Sequence, residues 1–189
     1  NCRRMRIDML ERGADAVPYL IAGSGAGGYE SIIMGPTERI IKTGDIMIID
    51  TGASYDGYFC DFDRNFSFGL PDNDAKHAYE VVYQATDAGF EVARPGATTT
   101  DLWAAMAAVL ETGGSLGNDV GRMGHGLGMQ LTEGPSVSPH DRTPLEVGMV
   151  LTLEPGMTMV TGKQMVHEEN IVITEDGAEY LSRRAPKEM

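Results

Sequence analysis

Apolar residues recur at helical spacing at the start of the chain. Met5 and Met9, with Ile7 and Leu10, predict a helix over 2–12 that Gly13 ends. Val17–Ala22 reads as a short strand and Gly23–Gly28 as a flexible loop. That loop lacks the phosphate-loop lysine and the dinucleotide glycine spacing, so phosphate binding is not expected. Ser31–Met34 reads as another short strand, closed by a Gly35–Pro36 turn. Ile46–Asp50 and Tyr58–Phe68 read as two strands joined through Ser54–Gly57, where Asp-Gly is a hairpin signal. Asp72 offers an N-cap for a helix over 73–93 that Pro95–Gly96 ends. Thr99 or Thr100 caps a second helix over 101–111, ended by Gly113–Gly114. From Val120 onward the pattern shortens to β-like runs at Met149–Leu153, Met157–Val160, Met165–Thr174 and Glu179–Leu181. Strands, two helices, then strands predict an α+β domain with helices on one side of an antiparallel sheet.

Composition narrows the class. The 189 residues are 42% apolar and 23% charged, enough for one domain with a core of its own. The longest apolar stretches, such as Ala104–Leu110, are too short for a membrane helix, and no signal segment opens the chain. With 15 basic against 28 acidic residues, the net charge of −13 disfavours nucleic acid, whose phosphates need lysine and arginine. Cys2 and Cys60 make neither a disulfide framework nor a thiolate zinc site, so a cytoplasmic setting is expected. A chain beginning at Asn1 is expected to be part of a longer protein.

Several acidic residues stand in apolar surroundings. Asp50 ends the run Ile46–Ile49, and Asp61 sits between Cys60 and Phe62. A turn through Ser54–Gly57 sets Asp50 opposite Asp61, with Cβ atoms about 5 Å apart. A two-residue turn at Asp56–Gly57 sets Asp50 opposite Asp63 instead, and local geometry leaves both registers open. Two carboxylates that close repel unless one is protonated or a cation intervenes. His125 lies among glycines that permit close approach to its ring. Glu154 ends the run Val150–Leu153, and Glu168 leads into the final apolar strand with Glu169 on the opposite face. Carboxylates with one imidazole suit Mn, Fe, Co or Zn in an oxygen-rich centre.

The order of these residues resembles the pita-bread metallohydrolases, which include methionine aminopeptidase, Xaa-Pro aminopeptidase, prolidase and creatinase. The supporting segments are GDIMIIDTGASYDGYFCDFDRNF, GHGLGMQLTEGP, VGMVLTLEPGM and HEENIVITEDGAEYL, spanning about Lys42 to Leu181. The resemblance implies a pita-bread fold over residues 1–189 as a single catalytic domain, the C-terminal part of a longer protein. It assigns two divalent metal ions to Asp50, Asp61, His125, Glu154 and Glu168, and leaves Asp63 out. Glu168 is chosen over Glu169 because the family's ligand lies six residues before the threonine closing the strand, here Thr174. Glu154 doubles as proton acceptor for a water shared by the two metals.

Three positions depart from the peptidase pattern. Thr132 stands where a substrate-binding histidine is expected, Ser31–Lys42 contains no histidine, and Val166 replaces an arginine of prolidase-like members. His140 lies in a loop from which it could supply the absent group. The implied reaction is hydrolysis of a peptide or amide bond, as in Xaa-Pro aminopeptidase or prolidase. The alternatives are creatinase-like or dimethylsulfoniopropionate-lyase-like action on a small zwitterion, and a metal-free binding module. The lyase carries an extra acid two residues after the first aspartate, where this chain has Gly52. The expected partners are a small molecule or short peptide, with homodimer formation left open.

Overall fold

The computed structural model describes residues 2–35, 37–117 and 121–189. The expected turn at Pro36 and the change of pattern at Val120 therefore lie outside the described residues, as does Asn1. Helix α1 (Cys2–Glu11) precedes three strands, β1 (Ala16–Ala26), β2 (Asp45–Tyr55) and β3 (Tyr58–Ser67), which form an antiparallel sheet in that order. Helices α2 (Asn73–Val92) and α3 (Thr99–Thr112) follow. The C-terminal part holds β4 (His125–Gly126), β5 (Glu133–Ser136), β6 (Val150–Leu153), β9 (Glu169–Ile173) and β10 (Ala178–Tyr180) in a five-stranded sheet ordered β10-β9-β6-β4-β5. Between them β7 (Gly156–Thr158) and β8 (Gln164–Val166) pair as a separate ribbon.

The β2–β3 hairpin turns in two residues, with both Asp56 (φ 50°) and Gly57 (φ 83°) left-handed. That is the turn whose twist matches the flanking strands. Tyr55 therefore faces Tyr58, Asp50 faces Asp63, and Gly52 faces Asp61. This corrects the Asp50–Asp61 register of a wider turn. Because opposed and alternate residues share a face, Asp50, Asp61 and Asp63 all project from the same side of the sheet.

Three expectations about elements change. Most of the glycine-rich stretch is not a loop: β1 runs to Ala26, pairing Gly23 with Ile48 and Gly25 with Ile46, and only Gly27 and Gly28 form a turn. A Cβ on Gly25 would stand 2.4 Å from the Gly28 carbonyl oxygen, so the strand can pass there only as glycine. Ser31–Met34 forms no strand, because no neighbour offers it a ladder and Ile33 is exposed. Thr98, not Thr99 or Thr100, caps α3. Its side chain accepts from the Asp101 N–H while Asp101 accepts from the Thr98 N–H, a reciprocal capping box. The Thr99 and Thr100 hydroxyls instead donate to the Asp141 carbonyl.

One face of α2 (Ala78, Val81, Val82, Ala85) and of α3 (Leu102, Met106, Leu110) is buried with Leu151, Leu153, Met165, Ile171 and Ile173 from the sheet strands. His77 ties the helices together, its Nε2 lying 3.0 Å from the Gly113 carbonyl. Ile46 and Ile48 carry this core under the first sheet. The carboxylate-bearing face of β2 and β3 is thereby turned toward β4, β6 and the start of β9.

Candidate metal centre

Each of the five expected ligands comes from a different segment, and β3 is paired with β2 and packed against β9. Asn170 makes the closest tie. Its Oδ1 accepts from the Asp61 N–H at 3.1 Å, and its amide N–H donates to the Asp61 carbonyl. This double clasp joins β3 to β9 and sets Asp61 beside Glu168. Both its bonds are buried, so Asn170→Ala leaves two backbone groups without partners. The expected loss is about 2–4 kcal/mol, read from denaturant unfolding, together with weaker metal binding. Unaltered stability would mean that the clasp is not what holds the two sheets.

Asp61, His125 and Glu168 are all buried, and one ligand atom from each lies within 4.8 Å of the others. His125 directs Nε2 inward, 3.6 Å from Asp61 Oδ2 and 4.0 Å from Glu154 Oε2. Its Nδ1 lies 2.9 Å from the Gly126 carbonyl, and donation there leaves the Nε2 lone pair for a metal. Burial lowers the proton affinity of this ring, keeping it neutral and able to coordinate. A Cβ on Gly124 would lie 2.1 Å from the Thr152 carbonyl, so the approach of the His125 segment to β6 depends on that glycine.

Asp50 accepts a hydrogen bond from the Tyr19 hydroxyl at 3.1 Å, which fixes its carboxylate from the β1 side. Glu154 follows β6 and lies 3.4 Å from Arg122 Nε. With its side chain 20% exposed against 8% for Asp61, Glu154 borders the open side of the cluster. Glu168 and Glu169 diverge as alternation requires. Glu169 accepts from Arg64 Nη2 at 3.0 Å and from the Ala185 N–H at 2.8 Å, on the side away from the cluster. His167 shares that side, packed against Tyr79 and Tyr83 with Nδ1 2.8 Å from the Thr86 hydroxyl.

The electrostatics of this arrangement call for cations. Burial, then the charges of Asp50 and Glu154, push the Asp61 carboxyl up to about 8. Burial raises Asp50 to about 6 and Glu154 to about 7, the latter restrained by Arg122. Glu168 and Asp63 are driven well above the usual carboxylate range by burial and by their acidic neighbours. Asp61 Oδ1, Asp63 Oδ1 and Glu168 Oε1 are buried without a hydrogen-bond partner. Buried oxygen donors lacking protein partners, beside a neutral imidazole, fit hard or borderline divalent metal ions.

Thr132 is exposed, immediately before β5 and thus beside the His125 strand. His140 is exposed in the loop after β5. Sequence reasoning missed Tyr19, Arg122 and Asn170, whose partners lie 31, 32 and 109 positions away. For Asn170, the only local signal was an amide flanked by Glu169 and Ile171 in an otherwise apolar strand.

The family described as Metallopeptidase family M24 matches residues 3–176. The Xaa-Pro dipeptidase of Pyrococcus furiosus is 33% identical over 147 residues, covering 78% of this chain and 42% of that protein. The probable dipeptidase PepE of Mycobacterium tuberculosis is 34% identical over 171 residues, covering 90% of this chain and 45% of that protein. Among solved structures, dipeptidase PepE from Mycobacterium ulcerans superposes with a TM-score of 0.92 at 32% identity, over all of this chain and 50% of that one. The prolidase of Pyrococcus furiosus superposes with a TM-score of 0.90 at 29% identity, over 98% of this chain and 55% of that one. The chain thus spans about half the length of the relatives it matches.

Proposed function

The chain belongs to metallopeptidase family M24 and has its pita-bread fold, and from that premise we propose that it is the catalytic domain of a dinuclear-metal dipeptidase or Xaa-Pro peptidase. The observation that carries this reading is the buried cluster of Asp61, His125 and Glu168, with Asp50 and Glu154 at its margins. These five residues would hold two divalent ions, of Mn, Co, Fe or Zn. Such ions would supply a water of lowered pKa and would polarise the scissile carbonyl. The chain's own part is to hold and aim. Tyr19 orients Asp50, Asn170 fixes the backbone of Asp61, and Gly126 sets the His125 ring. Glu154, at the open side and beside Arg122, is placed to take the proton released as water attacks.

Substrate choice turns on Thr132, which borders the His125 strand and which we assign to substrate contact. A threonine hydroxyl is shorter than an imidazole and carries no positive charge. Losing one donor to a developing oxyanion commonly costs about 10²–10³ in rate. Xaa-Pro dipeptides should therefore be cleaved slowly, and Thr132→His should raise kcat/KM by at least about 10-fold in a metal-loaded hydrolysis assay. Vigorous cleavage by the unaltered protein would show that another group already fills the role.

The zwitterion-lyase alternative is weakened at Gly52. Glycine supplies no carboxylate there, and the Leu131 side chain lies over the position, 2.2 Å from where a Cβ would stand.

A further inference from the structure

We propose that Asp63 is a sixth protein ligand of this centre, an oxygen donor that biases it toward a six-coordinate cation such as Mn²⁺ over Zn²⁺. The inference rests on reading the site as a metal centre, and it adds a residue that the five-ligand set excludes. The two-residue turn at Asp56–Gly57 sets Asp63 directly opposite Asp50, and the period of two puts it on the same face as Asp61. Directly opposed Cβ atoms lie about 5 Å apart, a span that one cation can close between two carboxylates.

Asp63 is only 4% exposed, and its Oδ1 has no hydrogen-bond partner. The neighbouring cation does not answer it by contact. Arg64 Nη1 donates to the backbone carbonyls of Asp63 and Glu168, each at 2.7 Å, and Nη2 to the Glu169 carboxylate. The nearby Tyr29 hydroxyl donates to Asn65 Oδ1 and accepts from the Val166 N–H. What stands directly across the ladder from Asp63 is another carboxylate, Asp50, with Asp61 on the same face of its own strand. A buried carboxylate set among carboxylates, with its oxygen unpaired, is an expensive feature unless a cation meets it. The equivalent position opposite Asp61 is Gly52, which Leu131 covers. The extra donor is therefore delivered on the Asp50 side alone, which makes the centre asymmetric. An added carboxylate oxygen favours ions that accept six oxygen-rich ligands, whereas zinc is satisfied by four or five.

The test uses the full chain, stripped of metal and titrated separately with Mn²⁺ and Zn²⁺ against a competing chelator. Wild type is compared with Asp63→Asn, Asp63→Ser and the control Asp61→Asn, each checked for folding by circular dichroism. Asp63→Asn is expected to weaken Mn²⁺ by about 10–100-fold, with a smaller effect on Zn²⁺. Asp61→Asn should weaken both ions. Mn²⁺ affinity within about threefold of wild type in a folded Asp63 variant would overturn the proposal, and equal weakening of both ions would overturn the stated preference. Failure of both Asp63 variants to fold would also overturn it, marking the carboxylate as structural. A wild-type chain that binds neither ion refutes the metal-centre reading itself, which distinguishes that failure from failure of the Asp63 role alone.

Discussion

Stripped of divalent metal, the protein is expected to melt at a lower temperature at pH 7.5 than at pH 5, and added Mn²⁺ should reverse the order. The cause is the crowd of buried carboxyls. Asp50, Glu154 and Asp61 hold their protons up to about 6, 7 and 8, and burial among acidic neighbours pushes Asp63 and Glu168 well above the usual carboxylate range. In the unfolded chain the same groups release protons near pH 4. The folded state therefore binds more protons than the unfolded state between about pH 4 and 8. Stability is full below that window and is lost as pH rises through it. Each tenfold difference in proton affinity corresponds to about 1.4 kcal/mol.

His125 and His167 act in the opposite direction, since burial lowers their proton affinity and their contribution is lost as pH falls below about 6.5. Five carboxyls outweigh two imidazoles over most of the window. Metal binding supplies the missing positive charge and stabilises the native state by about 3–4 kcal/mol at 100–1,000 times the dissociation constant. For a chain of this size that corresponds to a rise in Tm on the order of 10 °C. Melting curves from pH 5 to 8, with chelator and with metal, check this. A metal-free curve independent of pH would mean that the carboxylates find partners without a cation.

Asp61→Ala should abolish tight metal binding and lower peptide hydrolysis by about 10³-fold or more, since the electrostatic work of a metal amounts to several kcal/mol of barrier. Asp61 is the hub of the cluster: its Oδ2 lies 3.6 Å from His125 Nε2, and its backbone is clasped on both sides by Asn170. The substitution also removes a buried carboxyl whose proton affinity burial has raised, so near neutral pH the metal-free variant should be at least as stable as metal-free wild type. Metal content by mass spectrometry, beside unfolding curves, separates loss of a ligand from loss of the fold. Retention of the full metal complement would remove Asp61 from the ligand set.

The two findings meet at the hairpin, where legibility in the sequence had a definite limit. Asp-Gly announced a tight turn, and apolar runs on both sides announced the strands. Whether the turn held two residues or four was not readable locally, because both choices keep Asp50 and Asp61 on one face. The distinction matters only for Asp63. The same limit appears at Gly23–Gly28, whose glycines read as a flexible loop until the close approach of Gly28 to Gly25 shows why glycine stands there. At Ser31–Met34 apolar residues suggested a strand that found no edge to join.

The sequence by itself determined the α+β order of elements, the two long helices with the Asp72 cap of the first, and the Asp-Gly turn. It also determined that Glu168 and Glu169 point to opposite faces; the family resemblance chose Glu168 as the ligand, and the structure supplied Arg64 as the partner of Glu169. The features read from sequence follow from short-range rules: period, capping and turn chemistry act within a few residues. Only the tertiary structure decided that Asp50 faces Asp63, that Tyr19 holds Asp50, and that Asn170 clasps Asp61 across 109 positions. Such pairings depend on how two sheets close over one another. That closure is set by the summed burial of the core beneath them rather than by any residue near the pair.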